Sequence, residues 1–194
     1  MLAGAAAVLS LTSVAPPSAF SDSIPFEAPS CQGETPTIYR GTFRSVNDTK
    51  IEGTEGDDVI VVVDLSNEIH GRGGDDVICT FGDETNQISG GTGNDRIVAE
   101  GGNDTIFGGD GDDEIHSGAG ADQIYGDHGN DTLHGDGGND WIKGNDEDDK
   151  MYGGGGNDHL RGRDGRDEGF GGPGGDLCRF GTETRDSCGT WTRK

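Results

Sequence analysis

From Gly53 onward the chain repeats one pattern every nine residues. A lone aliphatic residue recurs at Ile60, Ile69, Ile78, Ile88, Ile97, Ile106, Ile115, Ile124, Leu133, Ile142, Met151 and Leu160, and Gly169 and Cys178 close the series. Two residues before each stands Asp or Asn. Gly fills the fourth position of every block except three, where Leu65, Glu84 and Glu147 replace it. The blocks begin at Gly53, Val62 and Gly71. Thr80 then reads as one inserted residue, and the phase resumes from Phe81 through Gly90, Ala99, Gly108, Ser117, Gly126, Gly135, Gly144, Gly153 and Gly162 to Gly171. Ile51 is in phase with a worn earlier block at Arg44.

This pattern predicts turns and strands in alternation. The first six positions are rich in Gly and Asp/Asn, the residues that supply left-handed backbone and side-chain-closed turns. The last three form a minimal strand with one side chain pointing inward. Two blocks make one coil, so the fourteen blocks predict about seven coils, an all-β stack of two short parallel sheets around an aliphatic ladder. Thr80 predicts a bulge, and Gly169 removes an inward side chain near the end of the stack.

Composition sharpens the problem. The chain has 194 residues, 38 glycines, 37 acidic residues and a formal net charge of −23. Leu, Ile, Val and Phe together make up under a fifth of it. That balance is the signature of a disordered polyanion, and only the phased pattern overrules it. A core one aliphatic residue wide cannot offset the entropy of ordering nine residues per block. Position-six carboxylates recur at the same point of each turn and line both edges of the stack, where they repel. Hard divalent cations, which choose carboxylate and carbonyl oxygens, supply the missing cohesion. About ten such ions would nearly neutralise the chain. The charge also argues against nucleic acid and anionic membrane surfaces as partners.

Residues outside the repeats read differently. Leu2 to Ala15 is an apolar stretch too short to span a bilayer, and residues 1–21 are expected to be a secretory signal. Residues 22–43, with Pro25, Pro29 and Pro36, are expected to be an irregular leader, 44–179 the repeat domain and 180–194 a C-terminal cap. No later stretch is long enough for a membrane span. Cys31, Cys79, Cys178 and Cys188 are even in number, which in an exported chain suggests two disulfides with three possible connectivities.

Gly90-Gly91-Thr92-Gly93-Asn94-Asp95-Arg96-Ile97-Val98 and Gly108-Gly109-Asp110-Gly111-Asp112-Asp113-Glu114-Ile115-His116 resemble the GGxGxDxUx nonapeptide of the RTX, or haemolysin-type, calcium-binding repeat. The resemblance implies a right-handed parallel β-roll with calcium between each turn and the next turn on the same edge. The ligands it implies are the side chains of Asp58, Asp76, Asp95, Asp104, Asp113, Asp122, Asp131, Asp140, Asp149, Asp158, Asp167 and Asp176. Backbone carbonyls near positions one and three complete the set, here Gly90, Thr92, Gly108, Asp110, Gly126, His128, Gly135, Gly137, Gly153 and Gly155. Asn67 and Asn86 replace Asp on neighbouring turns, where an amide ladder is expected instead of an ion. The Cys31, Cys79 and Cys178 contexts look like small exported proteins of this family, typically actinobacterial. That likeness implies Cys31–Cys79 and Cys178–Cys188 bridges that tie down the two open ends.

No nucleophile, base and orienting group form a recognisable constellation, and glycine loops carrying carboxylates repel phosphate, so no enzyme is expected. A stand-alone secreted structural or interaction protein is favoured over the calcium-dependent export module of a larger enzyme or toxin. Thr182 to Lys194 is short and charged with both signs, which points to Sec-type export. Two outward columns stand out: Val98, His116, His134, Tyr152 and Phe170 at position nine, and Trp141, His159 and Leu177 at position seven. They read first as ordinary sheet surface. The alternatives are a stripe for a protein or glycan partner and a transition metal shared by His116 and His134. Arg96 opposite Glu114 and Lys150 opposite Glu168 are expected cross-strand charge pairs.

Overall fold

The computed structural model describes residues 50–63 and 67–180 and the backbone of 38–40. Numbered in chain order, the first sheet holds β1 (Ile38–Arg40), β3 (Val59–Val63), β5 (Val77–Phe81), β7 (Arg96–Ala99), β9 (Glu114–His116), β11 (Thr132–His134), β13 (Lys150–Tyr152) and β15 (Glu168–Phe170). The second holds β2 (Lys50–Glu52), β4 (Glu68–Gly73), β6 (Gln87–Thr92), β8 (Thr105–Asp110), β10 (Gln123–His128), β12 (Trp141–Asp146), β14 (His159–Arg161) and β16 (Leu177–Arg179). The chain alternates between the sheets, and every pairing joins strands two apart in parallel. The result is a β-solenoid of about seven coils with no helix among the described residues. Residues 38–40, expected to be irregular, form a strand whose Ile38 pairs with Ile60. The signal expected over residues 1–21 lies outside the described residues.

The position-eight residues from Ile60 to Leu160 are all fully buried in one continuous ladder. Strands of the second sheet run longer than expected. From β4 to β12 each continues through the first three positions of the next block. Position two of these strands lies in the left-handed region, as Gly91 and Gly109 do readily and Arg72, Asp127 and Asn145 do at a cost.

Two expectations are corrected here. Thr80 does not bulge. It is buried in β5, paired in unbroken register with Val62 on one side and Ala99 on the other. It therefore occupies position one, and the extra residue is taken up between Thr80 and Glu84. Gly102 packs on the Glu84 carbonyl as one fourth position upon another. A strand interior must keep its ladder bonds, whereas a turn can absorb a residue without losing any. The second correction concerns Gly169. It leaves no hole, because the ring of Phe180 lies where a side chain at Gly169 would stand. Phe180 is only 6% exposed and belongs to the core, although the sequence placed it in the cap.

The outer face of the first sheet carries the position-nine column. Val61 and Cys79 are buried there in a second small cluster with Val59, Val63, Val77, Phe81 and Val98. Farther along, His116, His134, Tyr152 and Phe170 stack in series, with centroid separations of 4.2, 4.5 and 5.2 Å. On the second sheet Trp141, His159 and Leu177 are register neighbours, as expected. Arg96 Nε lies 3.6 Å from Glu114 Oε2, and Lys150 is the register partner of Glu168.

Candidate metal centres

The position-six residues form two rows. The first edge carries Asp58, Asp76, Asp95, Asp113, Asp131, Asp149 and Asp167, and the second carries Asn67, Asn86, Asp104, Asp122, Asp140, Asp158 and Asp176. All are buried except Asp176, which is half-buried. Each row is a hydrogen-bonded ladder. The backbone N–H of one position-six residue donates to Oδ1 of its counterpart one coil on: Asp76 to Asp95 at 2.9 Å, Asp95 to Asp113 at 2.8 Å, Asp113 to Asp131 at 2.9 Å. The second edge follows the same rule from Asn86 to Asp104 (2.7 Å) through Asp158 to Asp176 (3.0 Å).

That rung uses one carboxylate oxygen and leaves the other. Oδ2 of Asp76, Asp95, Asp104, Asp113, Asp122, Asp131, Asp140, Asp149 and Asp158 is buried without a hydrogen-bond partner. Buried polar atoms are normally paired, so nine orphaned acceptors in two straight rows mark positions built for something with positive charge. At the ends the chain supplies its own donors. Asp58 Oδ2 accepts from the Thr54 N–H at 2.6 Å, and Asp167 Oδ2 from the Arg163 N–H at 3.1 Å.

What each orphan faces identifies the site. A side chain at Gly135 would come 2.5 Å from Asp140 Oδ2 and 2.6 Å from the Gly153 carbonyl oxygen. Position one thus keeps open a cradle between the carboxylate of its own turn and the carbonyl of the next. Gly90 stands likewise against Asp95 and the Gly108 oxygen, and Gly108 against Asp113 and the Gly126 oxygen. The expected position-three carbonyls of Thr92, Asp110, His128, Gly137 and Gly155 each accept one N–H from the preceding coil, at 2.7–2.9 Å. A carbonyl oxygen has a second lone pair, which leaves these free to coordinate as well. Oxygen-only, buried and underbonded, the donor set fits calcium.

The two edges differ. Position one is Gly in all seven blocks of the first edge, from Gly53 to Gly162. On the second it is Val62, Thr80, Ala99 and Ser117 before Gly135, Gly153 and Gly171. Ser117 Oγ donates to the Gly135 carbonyl at 3.0 Å, engaging an oxygen otherwise turned to the cradle. By position, Ala99 and Ser117 put side chains beside Asp104 and Asp122 where glycine leaves space. The open cradles are therefore those of Gly71, Gly90, Gly108 and Gly126 on the first edge and of Gly135 and Gly153 on the second. The amide ladder expected at Asn67 and Asn86 does not form. The Asn67 N–H donates to Asn86 Oδ1 (3.2 Å), the Asn86 side-chain amide donates to the Glu84 carbonyl (2.9 Å), and Asn67 Nδ2 has no partner.

A second ladder escaped the sequence reading. Position five forms a rung of the opposite sense on the rim of the turns, its N–H donating one coil back: the Asp112 N–H donates to Asn94 Oδ1, Asn130 to Asp112 and Arg166 to Asp148, all at 2.7–2.8 Å. On the other edge Ala121 donates to Asn103 and Asn157 to Asn139. The signal was present as the Asx-rich column of Asp57, Asp75, Asn94, Asp112, Asn130 and Asp148.

Burial, reinforced by the neighbouring carboxylates, pushes the Asp113 and Asp149 carboxyls up to about 8 and those of Asp76 and Asp140 to about 7. For Asp95, Asp104 and Asp131 burial again leads, to about 6. These rows resist carrying charge unless a cation accompanies it. A steric test of the cradle is available within one turn. Gly135→Ala is expected to lower the stability of the calcium-loaded roll by about 1–3 kcal/mol and to remove about one bound ion. Gly137→Ala, whose nearest neighbour would lie 3.9 Å away, is expected to do neither. Urea unfolding in saturating calcium and equilibrium dialysis measure both quantities. Equal behaviour of the two variants would place the cation elsewhere.

Comparison with curated proteins and with solved structures gives no match. Comparison with protein-family models matches the RTX calcium-binding nonapeptide repeat in four copies, over residues 52–80, 82–115, 107–142 and 143–178. With the repeat spanning most of the chain and its carboxylate rows aligned across the coils, the chain belongs to the RTX family of calcium-binding nonapeptide-repeat proteins.

Proposed function

We propose that this calcium-binding repeat protein is exported and acts outside the cell as a structural or interaction element, without catalytic activity, and that its roll folds when calcium links the coils. The observation that carries the reading is the double row of nine buried, unpartnered Oδ2 atoms. Without cations those carboxylates are desolvated and stacked on one another, and the thin aliphatic ladder must hold the coils against them. With calcium, Asp and Gly of one turn and Gly of the next share an ion, so binding and coil stacking become one event. No helix among the described residues is long and apolar enough to cross a membrane.

The reduced chain in chelator is expected to give a largely unfolded circular-dichroism spectrum, and millimolar calcium is expected to induce β structure cooperatively. A fully folded spectrum in chelator would sink the reading. The bridges belong to the same proposal. Neither Cys79 nor Cys178 is a free thiol, while Cys31 and Cys188 lie outside the described residues. Cys31–Cys79 and Cys178–Cys188 are the pairs proposed, and the second closes a short loop at little entropic cost. Non-reducing peptide mapping tests them; a peptide joining Cys31 to Cys188 would overturn the assignment.

A further inference from the structure

We propose that His116, His134 and Asp136 bind one divalent first-row transition ion, of the zinc or copper(II) class, where the outer face of the first sheet meets the second-edge turn that carries Asp136. β9 and β11 are neighbours, and His116 and His134 are register partners on them. One nitrogen of each ring and one Asp136 carboxylate oxygen all lie within 4.8 Å of one another. His116 Nδ1 is 3.3 Å from Asp136 Oδ2, and Glu114 Oε1 is 3.6 Å from His116 Nε2, which offers a further oxygen.

The backbone at Asp136 sets where its carboxylate goes. On this edge the second position of the turn is left-handed, and Gly118 (φ 84°), Gly154 (φ 96°) and Gly172 (φ 93°) occupy it in the adjoining coils. Asp136 holds the same place at φ 60° with a side chain. Aspartate tolerates this region better than most residues, and in this place its side chain lands beside the two imidazoles.

The donor set separates this site from the edges. The edges offer oxygen alone, the preference of hard ions. Two imidazoles with a carboxylate suit zinc, copper or nickel. The rings lie nearly parallel, 4.2 Å apart between centroids, so a shared ion requires each to turn toward the common point. His116 is partly exposed and Asp136 exposed, which leaves room for that motion, while Tyr152 stacks on the far side of His134 at 4.5 Å. The surrounding net charge of −23 adds a favourable field for any cation.

The test uses the full chain in saturating calcium, so that the edges are filled and the fold is held. Zinc is titrated by calorimetry, and copper(II) is followed by electron paramagnetic resonance. The expected result is about one zinc per chain with a dissociation constant of roughly micromolar order, and a copper spectrum showing nitrogen coupling. His134→Gln is expected to weaken zinc by roughly tenfold or more, while His159→Gln on the other sheet leaves it unchanged. Asp136→Gly removes a ligand while relaxing the backbone, so it is expected to weaken zinc with the calcium-loaded circular-dichroism spectrum retained. Absence of zinc binding in excess calcium, or equal zinc affinity in the parent, His134→Gln and Asp136→Gly chains, would overturn the site.

Discussion

In chelator, the chain is expected to gain β structure as the pH falls from about 8 to about 4. Asp113 and Asp149 stand at about 8 in the folded roll, Asp76 and Asp140 at about 7, and Asp95, Asp104 and Asp131 at about 6. In the unfolded chain an aspartate titrates near 4. Between those limits the folded state binds protons that the unfolded state has released, so the calcium-free roll loses stability as pH rises through the window. Below about 4 both states are protonated and the gain stops. In saturating calcium the sign reverses, because the ligands must be ionised to bind the ion and acid competes with it. Circular dichroism from pH 8 to pH 4, with and without calcium, reads both limbs. Stability falling with acid in both conditions would mean that the carboxylate rows are not buried in the calcium-free roll.

Phe180→Ala is expected to cost about 3–5 kcal/mol, the range for deleting a buried aromatic side chain. The first sheet's inward column loses its last member at Gly169, and the ring of Phe180 fills that place from beyond the end of the final block. Truncation leaves a cavity at the C-terminal end and bares the ladder beneath it. Urea unfolding in saturating calcium measures the loss. A Gly169→Val, Phe180→Ala double variant supplies a branched side chain from the strand itself and is expected to recover part of it. A cost below about 1 kcal/mol for Phe180→Ala would show that the ring merely lies over the end.

The contrast between Ile97 and Phe180 shows how far the sequence could be read. Ile97 was legible as core because its position recurs in phase with a dozen others, and period alone decides which way a strand residue faces. Phe180 follows the last block and has no phase, so only the space left at Gly169 reveals its place. The position-six aspartates were legible because their chemistry does not vary along the array. Position five does vary, from Asp through Asn to Ala121 and Arg166, and its rung joins a side chain to a backbone N–H eighteen residues away. Such a bond is seen only once the coils are aligned. Ala99 and Ser117 were visible as departures from glycine, but nothing in the sequence shows that position one faces a carboxylate. The insertion near Thr80 could be counted but not placed, since an extra residue slides to whichever segment loses least by holding it.

The parallel ladders have a mechanical consequence. Every strand pairing and every position-six rung joins a coil to its immediate neighbour, and none reaches past it. Tension applied along the stack is therefore carried in series, coil by coil, and the weakest junction yields first without disturbing the rest. A coil occupies about 4.8 Å of stack height, yet its eighteen residues extend to roughly 60 Å when released. Each junction that opens pays out more than ten times the length it held. On the proposed calcium linkage, a cation seated in that junction is expected to raise the force at which it opens, so that the ambient calcium level would set how stiff the molecule is while the number of coils sets how far it can stretch.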